Sequence, residues 1–156
     1  MAVFFRGTFE NRLDKKGRVS VPADFRARLK GQSFDGIVVF PSLRHGSKHN
    51  VLECSGTDRL DQIGASIDPT KLTPGGTNAD VEYVLGVSRD IAFDSEGRVV
   101  LPAEFIAHIG SPERVTFFGQ GPFFEIWSTE AHAARAKGLL QARLAEADRV
   151  LDGGGK

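Results

Sequence analysis

His45 and His49, separated by three residues, and Cys54 a little further on are the side chains here best able to hold a metal ion. That His spacing is useful when a helix puts both rings on one face. Here the pair flanks Gly46-Ser47-Lys48, which reads as a loop, so no metal site is expected. His108 and His132 fall on expected helices with no evident partner and read as solvated or core-satisfied imidazoles. Asp14 and Asp94 resemble a carboxylate pair for acid–base work, but each comes with its own Gly and Arg in a repeated segment, so a structural duty explains both. Gly119-Gln120-Gly121 lacks the further glycine and the strand–helix setting of a nucleotide loop and reads as a turn. No nucleophile, base and orienting group assemble from these residues, which sets aside a small hydrolase and leaves a chain without catalytic activity or cofactor.

What remains is positive charge. Between positions 6 and 30 stand Arg6, Arg12, Lys15, Lys16, Arg18, Arg26, Arg28 and Lys30, eight basic residues against three acidic ones, net +5. The window eighty residues on, 86–110, holds two basic and four acidic residues, net −2. Lys15 and Lys16 sit at the tip of a tight turn flanked by Arg12 and Arg18, an arrangement a two-stranded ribbon uses against phosphates or in a groove. A solvated charge run is the plainer alternative.

The two windows belong to a duplication. Leu13 to Leu29 (LDKKGRVSVPADFRARL) aligns without gaps on Phe93 to Ile109 (FDSEGRVVLPAEFIAHI), with eight of 17 positions identical. The match continues more weakly, Gly36 to Phe40 answering Arg114 to Phe118 and Leu52-Glu53 answering Phe124-Glu125. In each copy Asp-x-x-Gly reads as a type I turn, Asp14 to Gly17 and Asp94 to Gly97, that closes a hairpin. Asp14 and Arg18 can meet across the first turn, Asp94 and Arg98 across the second. That pairing explains Arg98 as a structural residue, while stability alone explains Arg18 less well.

Elements follow from local chemistry. Val19/Val21 and Val99/Leu101 alternate as strands. Pro22 and Pro102 are placed at the first helical position with Asp24 and Glu104 in the first turn. Phe25 with Leu29 and Phe105 with Ile109 face the core, and Gly31 and Gly110 end the helices. Further strands are expected near 36–40, 51–54, 114–119 and 123–127. Helices follow from a capping-box-like Ser55-Gly56-Thr57-Asp58 and from Ser128-Thr129-Glu130. This divides the chain into a first repeat (1–67), a linker rich in Pro and Gly (68–80), a second repeat (81–151) and a disordered tail (152–156). In the last helix Leu140, Leu144, Ala147 and Leu151 form one apolar stripe, expected to pack on its own domain rather than in an intersubunit seam.

The composition agrees with an ordinary globular chain: 156 residues, 40% hydrophobic and 26% charged. No apolar run is long enough for a membrane span and the first residues do not resemble an export signal. One cysteine allows no internal disulfide and no multi-cysteine zinc site, which fits a reducing, cytoplasmic setting. Net charge is zero, but residues 1–80 hold 12 basic and 9 acidic groups and residues 81–156 hold 8 and 11, so anion binding is expected in the first half.

Phe5-Arg6-Gly7, Leu13 to Arg18 with Val21 to Arg26, and Asp94 to Arg98 eighty residues on carry a resemblance to the MraZ family of bacterial transcriptional regulators. The resemblance spans essentially the whole chain. It implies an α+β, mainly β fold, a tandem pseudo-symmetric AbrB-like swapped-hairpin barrel with short helices and a longer C-terminal helix. It implies homo-oligomeric rings and binding of double-stranded DNA at short direct repeats upstream of the protein's own operon in the division and cell-wall gene cluster, as a repressor associated with the nucleoid. The family's DNA-contacting turn carries over onto Lys15, Lys16 and Arg18, with Arg6 and Arg12 as neighbours. Asp14, Gly17, Asp94, Gly97 and Arg98 are left as turn-forming residues. Ser95 and Glu96 depart from the basic pattern and place DNA contact by the second turn in doubt. The competing reading is a ring-forming scaffold or interaction module whose basic turn meets an acidic partner protein. No membrane and no small-molecule ligand are expected.

Overall fold

The computed structural model describes residues 4–65 and 79–153. The first repeat contains β1 (Thr8–Arg12), β2 (Arg18–Ser20), α1 (Ala23–Leu29), β3 (Gly36–Pro41), β4 (Leu52–Ser55) and α2 (Thr57–Ala65). The second contains α3 (Ala79–Val87), β5 (Arg89–Ala92), β6 (Arg98–Val100), α4 (Ala103–His108), β7 (Arg114–Gly119), β8 (Phe124–Ser128) and α5 (Thr129–Gly153). The expected linker lies outside the described residues up to position 78, and its last two residues open α3 instead. The expected tail begins inside α5, which runs to Gly153, and 154–156 lie outside the described residues.

α3 was not legible in the sequence. Its Val81, Val84, Gly86 and Val87 are poor helix formers, and it is held by burial of Val84 and packing against β3. Two helix starts also differ from expectation. Pro22 and Pro102 take the cap position with extended ψ of 138° and 145°, and their carbonyls accept the first helical N–H bonds from Phe25 and Phe105. Ser55, buried at the end of β4, caps nothing. The Thr57 N–H donates instead to Gln32 Oε1 at 2.9 Å, an acceptor from the α1–β3 connection. Ser128 does cap α5, its Oγ accepting from the Ala131 N–H at 3.2 Å.

Six strands form one antiparallel sheet in the order β1-β7-β8-β4-β3-β5, and β2 pairs with β6 in a second ladder. The strand arrangement exchanges the repeats: β1 pairs with β7 and β5 with β3, so each repeat's first strand joins the other's hairpin. The local turns therefore close no local ladder. β1 meets β2 through the turn itself and through Asn11 Nδ2, which donates to the Ser20 carbonyl at 2.6 Å. A mixed, mainly antiparallel fold with a long last helix is as expected, but a closed barrel is not. Among the described residues β1 and β5 are free edges, and β2 and β6 stop after three residues where Pro22 and Pro102, unable to donate, end the ladder.

The core lies between one face of the six-stranded sheet and the α1, α4, β2 and β6 layer. The Phe25 ring meets Phe5 edge to face at 5.4 Å and lies tilted against Phe124 at 4.8 Å, and Val19 and Val99, partners in the middle of the β2–β6 ladder, are fully buried. A buried Phe of this kind is worth about 3–5 kcal/mol against Ala. The stripe on α5 does not pack here. Only His132 of that helix is buried, and Leu140, Leu144 and Leu151 stand 56–77% exposed, because the helix is far longer than the β7–β8 surface that receives its first two turns.

Candidate nucleic-acid interface

The two Asp-x-x-x-Arg turns are built from the same hydrogen bonds. In the first, the Asp14 carbonyl accepts from the Gly17 N–H at 3.1 Å, and Asp14 Oδ1 accepts from the Lys16 and Arg18 N–H groups at 2.9 and 2.8 Å. Arg18 Nε then donates to Asp14 Oδ2 at 2.7 Å. In the second, Asp94 accepts from Gly97, Glu96 and Arg98 in the same pattern, with Arg98 Nε at 2.8 Å. The Arg18 N–H bond, chiefly, holds the Asp14 carboxyl below the usual carboxylate range, and the Arg98 N–H does the same for Asp94. Gly17 and Gly97 sit at φ of +81° and +76°, which completes each turn at no steric cost only for glycine.

The turns differ in what surrounds the guanidinium. The Nη groups of Arg18 have no partner among the described residues, and Lys15 and Lys16 beside it are exposed. Arg98 Nη2 lies 3.5 Å from Glu96 as well as serving Asp94, and these carboxylates raise its already high pKa, the Asp94 hydrogen bond most. Both arginines thus support their turns, so the idea that Arg18 is less structural than Arg98 is corrected. What separates them is the charge left over for another molecule.

The β2–β6 ladder sets the two turns at its opposite ends, with the Val21 N–H donating to the Gly97 carbonyl and the Leu101 N–H to Gly17. Each turn is also underpinned by the other repeat's helix. Arg26 Nη1 donates to the Val21 carbonyl at 2.8 Å and reaches the Gly97 carbonyl at 3.4 Å, while its counterpart Ile106 packs at Gly17. A Cβ on Gly97 would stand 2.4 Å from Arg26 Nη1. From sequence Arg26 was only one of the eight basic residues of the first window, yet it serves the second turn. The signal was its alignment with the apolar Ile106.

Arg12 is exposed at the end of β1 that leads into the first turn. Arg6 is not brought to that turn: it lies six residues back along the edge of β7, about 20 Å away at strand rise, in a shallow recess with Phe4, Asp24 and Arg28. Gly119-Gln120-Gly121 makes the expected turn, the Gln120 N–H donating to the Phe123 carbonyl at 2.9 Å.

The histidines go elsewhere. His45 Nε2 lies 2.7 Å from Glu125 Oε2, while Cys54, flanking Glu53 in β4, is buried in the core on the opposite face. His132, pressed on Phe118 and Trp127, is kept toward its neutral form by burial first and Arg135 second. His108 departs from expectation, its Nε2 shielded without a hydrogen-bond partner among the described residues. Sequence reading missed the meaning of Glu53 and Glu125, which are register partners on β4 and β8 and are almost fully buried. Glu53 is held by Arg44 at 2.7 Å and Arg59 at 2.8 Å, both stacked on Phe123, and Glu125 by His45 and by Trp127 Nε1 at 3.0 Å. A charge kept at the same strand position of both repeats was the available signal.

Fold and site define a duplicated α+β protein that presents two equivalent turns of opposite surroundings at the ends of one short ladder. The family model for the MraZ protein matches residues 4–42 and 85–152. "Transcriptional regulator MraZ" of Rickettsia bellii (strain OSU 85-389) is 36% identical over 130 residues, covering 83% of this chain and 84% of its own length. The regulators of the same name from Pelagibacter ubique and Parvibaculum lavamentivorans are 38% and 40% identical, covering 81% and 85% of this chain and 79% and 80% of their own lengths. The chain belongs to the MraZ family. No helix among the described residues is long and apolar enough to cross a membrane.

Proposed function

We propose that this protein is a sequence-specific DNA-binding transcriptional regulator, a repressor, that reads short direct repeats in double-stranded DNA upstream of its own operon in the division and cell-wall gene cluster. The observation that carries the reading is the pair of identical turns with unlike surroundings: Lys15, Lys16 and the open side of Arg18 face outward from the first, whereas Glu96 occupies Arg98 in the second. Phosphates are attracted to the former and repelled by the latter. Lys15, Lys16 and Arg18 are the contacts, Arg12 an adjoining one and Arg6 a remote one. Asp14, Gly17, Asp94, Gly97 and Arg98 hold turn geometry. The exchanged first strands are the swapped-hairpin relation of the two repeats, satisfied within one chain.

A single turn offers few phosphate contacts, so affinity comes from several turns on one assembly, each later contact acting at an effective concentration of order mM. The assembly is a homo-oligomeric ring on the nucleoid of the cytoplasm. The relatives' name, transcriptional regulator, supports the same reading. Footprinting of the purified protein on the DNA upstream of its gene tests it: protection of spaced repeats, weak binding to one repeat alone and steep loss with salt are expected. Absence of protection, with binding to acidic proteins instead, overturns it in favour of the scaffold reading.

A further inference from the structure

α2 and α3 pack on β3 and on each other, and beside them, on the face of the sheet opposite the main core, lies an open cleft of about 320 Å³. Its apolar lining comes from Leu43, Ile63, Val81 and Val84. The rest is mainly charged. Glu53 of β4, almost fully buried, accepts from Arg44 Nε at 2.7 Å and from Arg59 Nη1 at 2.8 Å, so each of its carboxylate oxygens already has a guanidinium. Both guanidinium groups lie over the Phe123 ring, 4.1 and 4.8 Å from its centroid, which holds them in place. Two cations thus share one carboxylate, and the neighbouring buried carboxylate, Glu125, is engaged by His45 and Trp127. The Nη groups of Arg44 and the Nε and Nη2 groups of Arg59 have no partner among the described residues. A guanidinium offers donors and no acceptor. Whatever completes the charged lining therefore brings oxygen lone pairs.

We propose that this cleft binds a small amphiphilic carboxylate, an alkyl chain whose acid group meets the open N–H groups of Arg44 and Arg59 while the chain lies along Leu43, Ile63, Val81 and Val84. A carboxylate accepts the planar guanidinium fork with two oxygens at once, and the apolar lining takes the chain out of water. The volume stands at the small end of ligand pockets, so one medium-length chain fills it. A cationic head finds no open acceptor on Glu53, whose two oxygens are taken; exposed Asp80 at the start of α3 is the one other carboxylate bordering the cleft, and water screens it. Sequence reading expected no small-molecule ligand because Arg44 and Arg59 stand fifteen residues apart and α3 was not foreseen. No residue of either Asp-x-x-x-Arg turn lines the cleft, so the inference does not depend on DNA binding.

Equilibrium dialysis of the full chain against radiolabelled octanoate tests it, with octanol as the same chain carrying an uncharged head. Octanoate is expected to bind saturably, one molecule per chain, and octanol about tenfold more weakly, the equivalent of losing one charge-assisted hydrogen bond. Arg44→Ala, at a half-exposed position, is expected to cost octanoate about tenfold and octanol nothing. Leu43→Asp, at an exposed lining position, weakens both, and Arg28→Ala, whose guanidinium lines a different recess, changes neither. Circular dichroism confirms that each variant is folded, and the comparison of octanoate with octanol on the parent protein needs no variant. Equal affinity for the two ligands, or an equal loss of both in Arg44→Ala, overturns the carboxylate site. Absence of saturable octanoate binding at millimolar concentration overturns the cleft as a ligand site altogether.

Discussion

Replacing Arg18 and Arg98 separately by alanine isolates electrostatics from turn stability. Each arginine gives one Nε bond to its aspartate, at 2.7 and 2.8 Å, so both variants lower the melting temperature, Arg98→Ala somewhat more because Arg98 also meets Glu96. Their effects on DNA differ. One phosphate contact contributes about 0.9 to the slope of log affinity against log salt, so raising salt fourfold, from 50 to 200 mM, weakens binding about 3.5-fold per contact. If two first turns of one assembly engage a pair of repeats, Arg18→Ala flattens the slope by about 1.8 and removes about 12-fold of the salt sensitivity over that range. Arg98→Ala leaves the slope unchanged. Fluorescence anisotropy of a labelled duplex carrying two upstream repeats reads these slopes, with light scattering confirming equal assembly masses, since a dissociated assembly loses affinity through avidity alone. Equal slope changes in the two variants would refute the charge argument and return the second turn to the DNA surface.

Gly36→Ala is expected to destabilise by about 3 kcal/mol, because its Cβ would stand 2.2 Å from the Ile91 carbonyl oxygen in the partner strand β5; a loss below about 1 kcal/mol in urea unfolding shows that the strands separate freely. Glu53→Ala leaves Arg59, largely buried, without its carboxylate and lowers stability by about 3 kcal/mol, the low end for a broken buried pair because Arg44 stays half exposed. A melting temperature equal to that of the parent protein counts against this. Acid stability follows Asp14 and Asp94, whose carboxyl pKa values are depressed chiefly by the Arg18 and Arg98 N–H groups. Their contribution is full above the unfolded carboxylate pKa near 4 and is lost as pH falls through the lower folded values. Asp14→Asn with Asp94→Asn should therefore flatten the acid limb of stability against pH, and an unaltered limb would show that other carboxylates control it.

Short-range chemistry sets the local pieces. Asp-x-x-Gly-Arg specifies its turn because the carboxylate, the glycine conformation and the guanidinium lie within five residues, and the duplicated Val, Pro and Phe positions marked the short strands, the helix starts and the core. The same alignment exposed the opposed charges at Lys15-Lys16 and Ser95-Glu96. Tertiary structure decided everything that depends on pairing across eighty residues. Although the family resemblance implied a swap, period-2 patterns say that a strand is half buried but not which strand it joins, so from the patterning the exchange of β1 and β5 between the repeats was hidden. So was the reach of Arg26 to the second turn, since only the β2–β6 ladder places α1 beneath Gly97. The α5 stripe shows the same limit: its period fixes that one face is apolar, while the short β7–β8 surface leaves this face exposed beyond the first two turns.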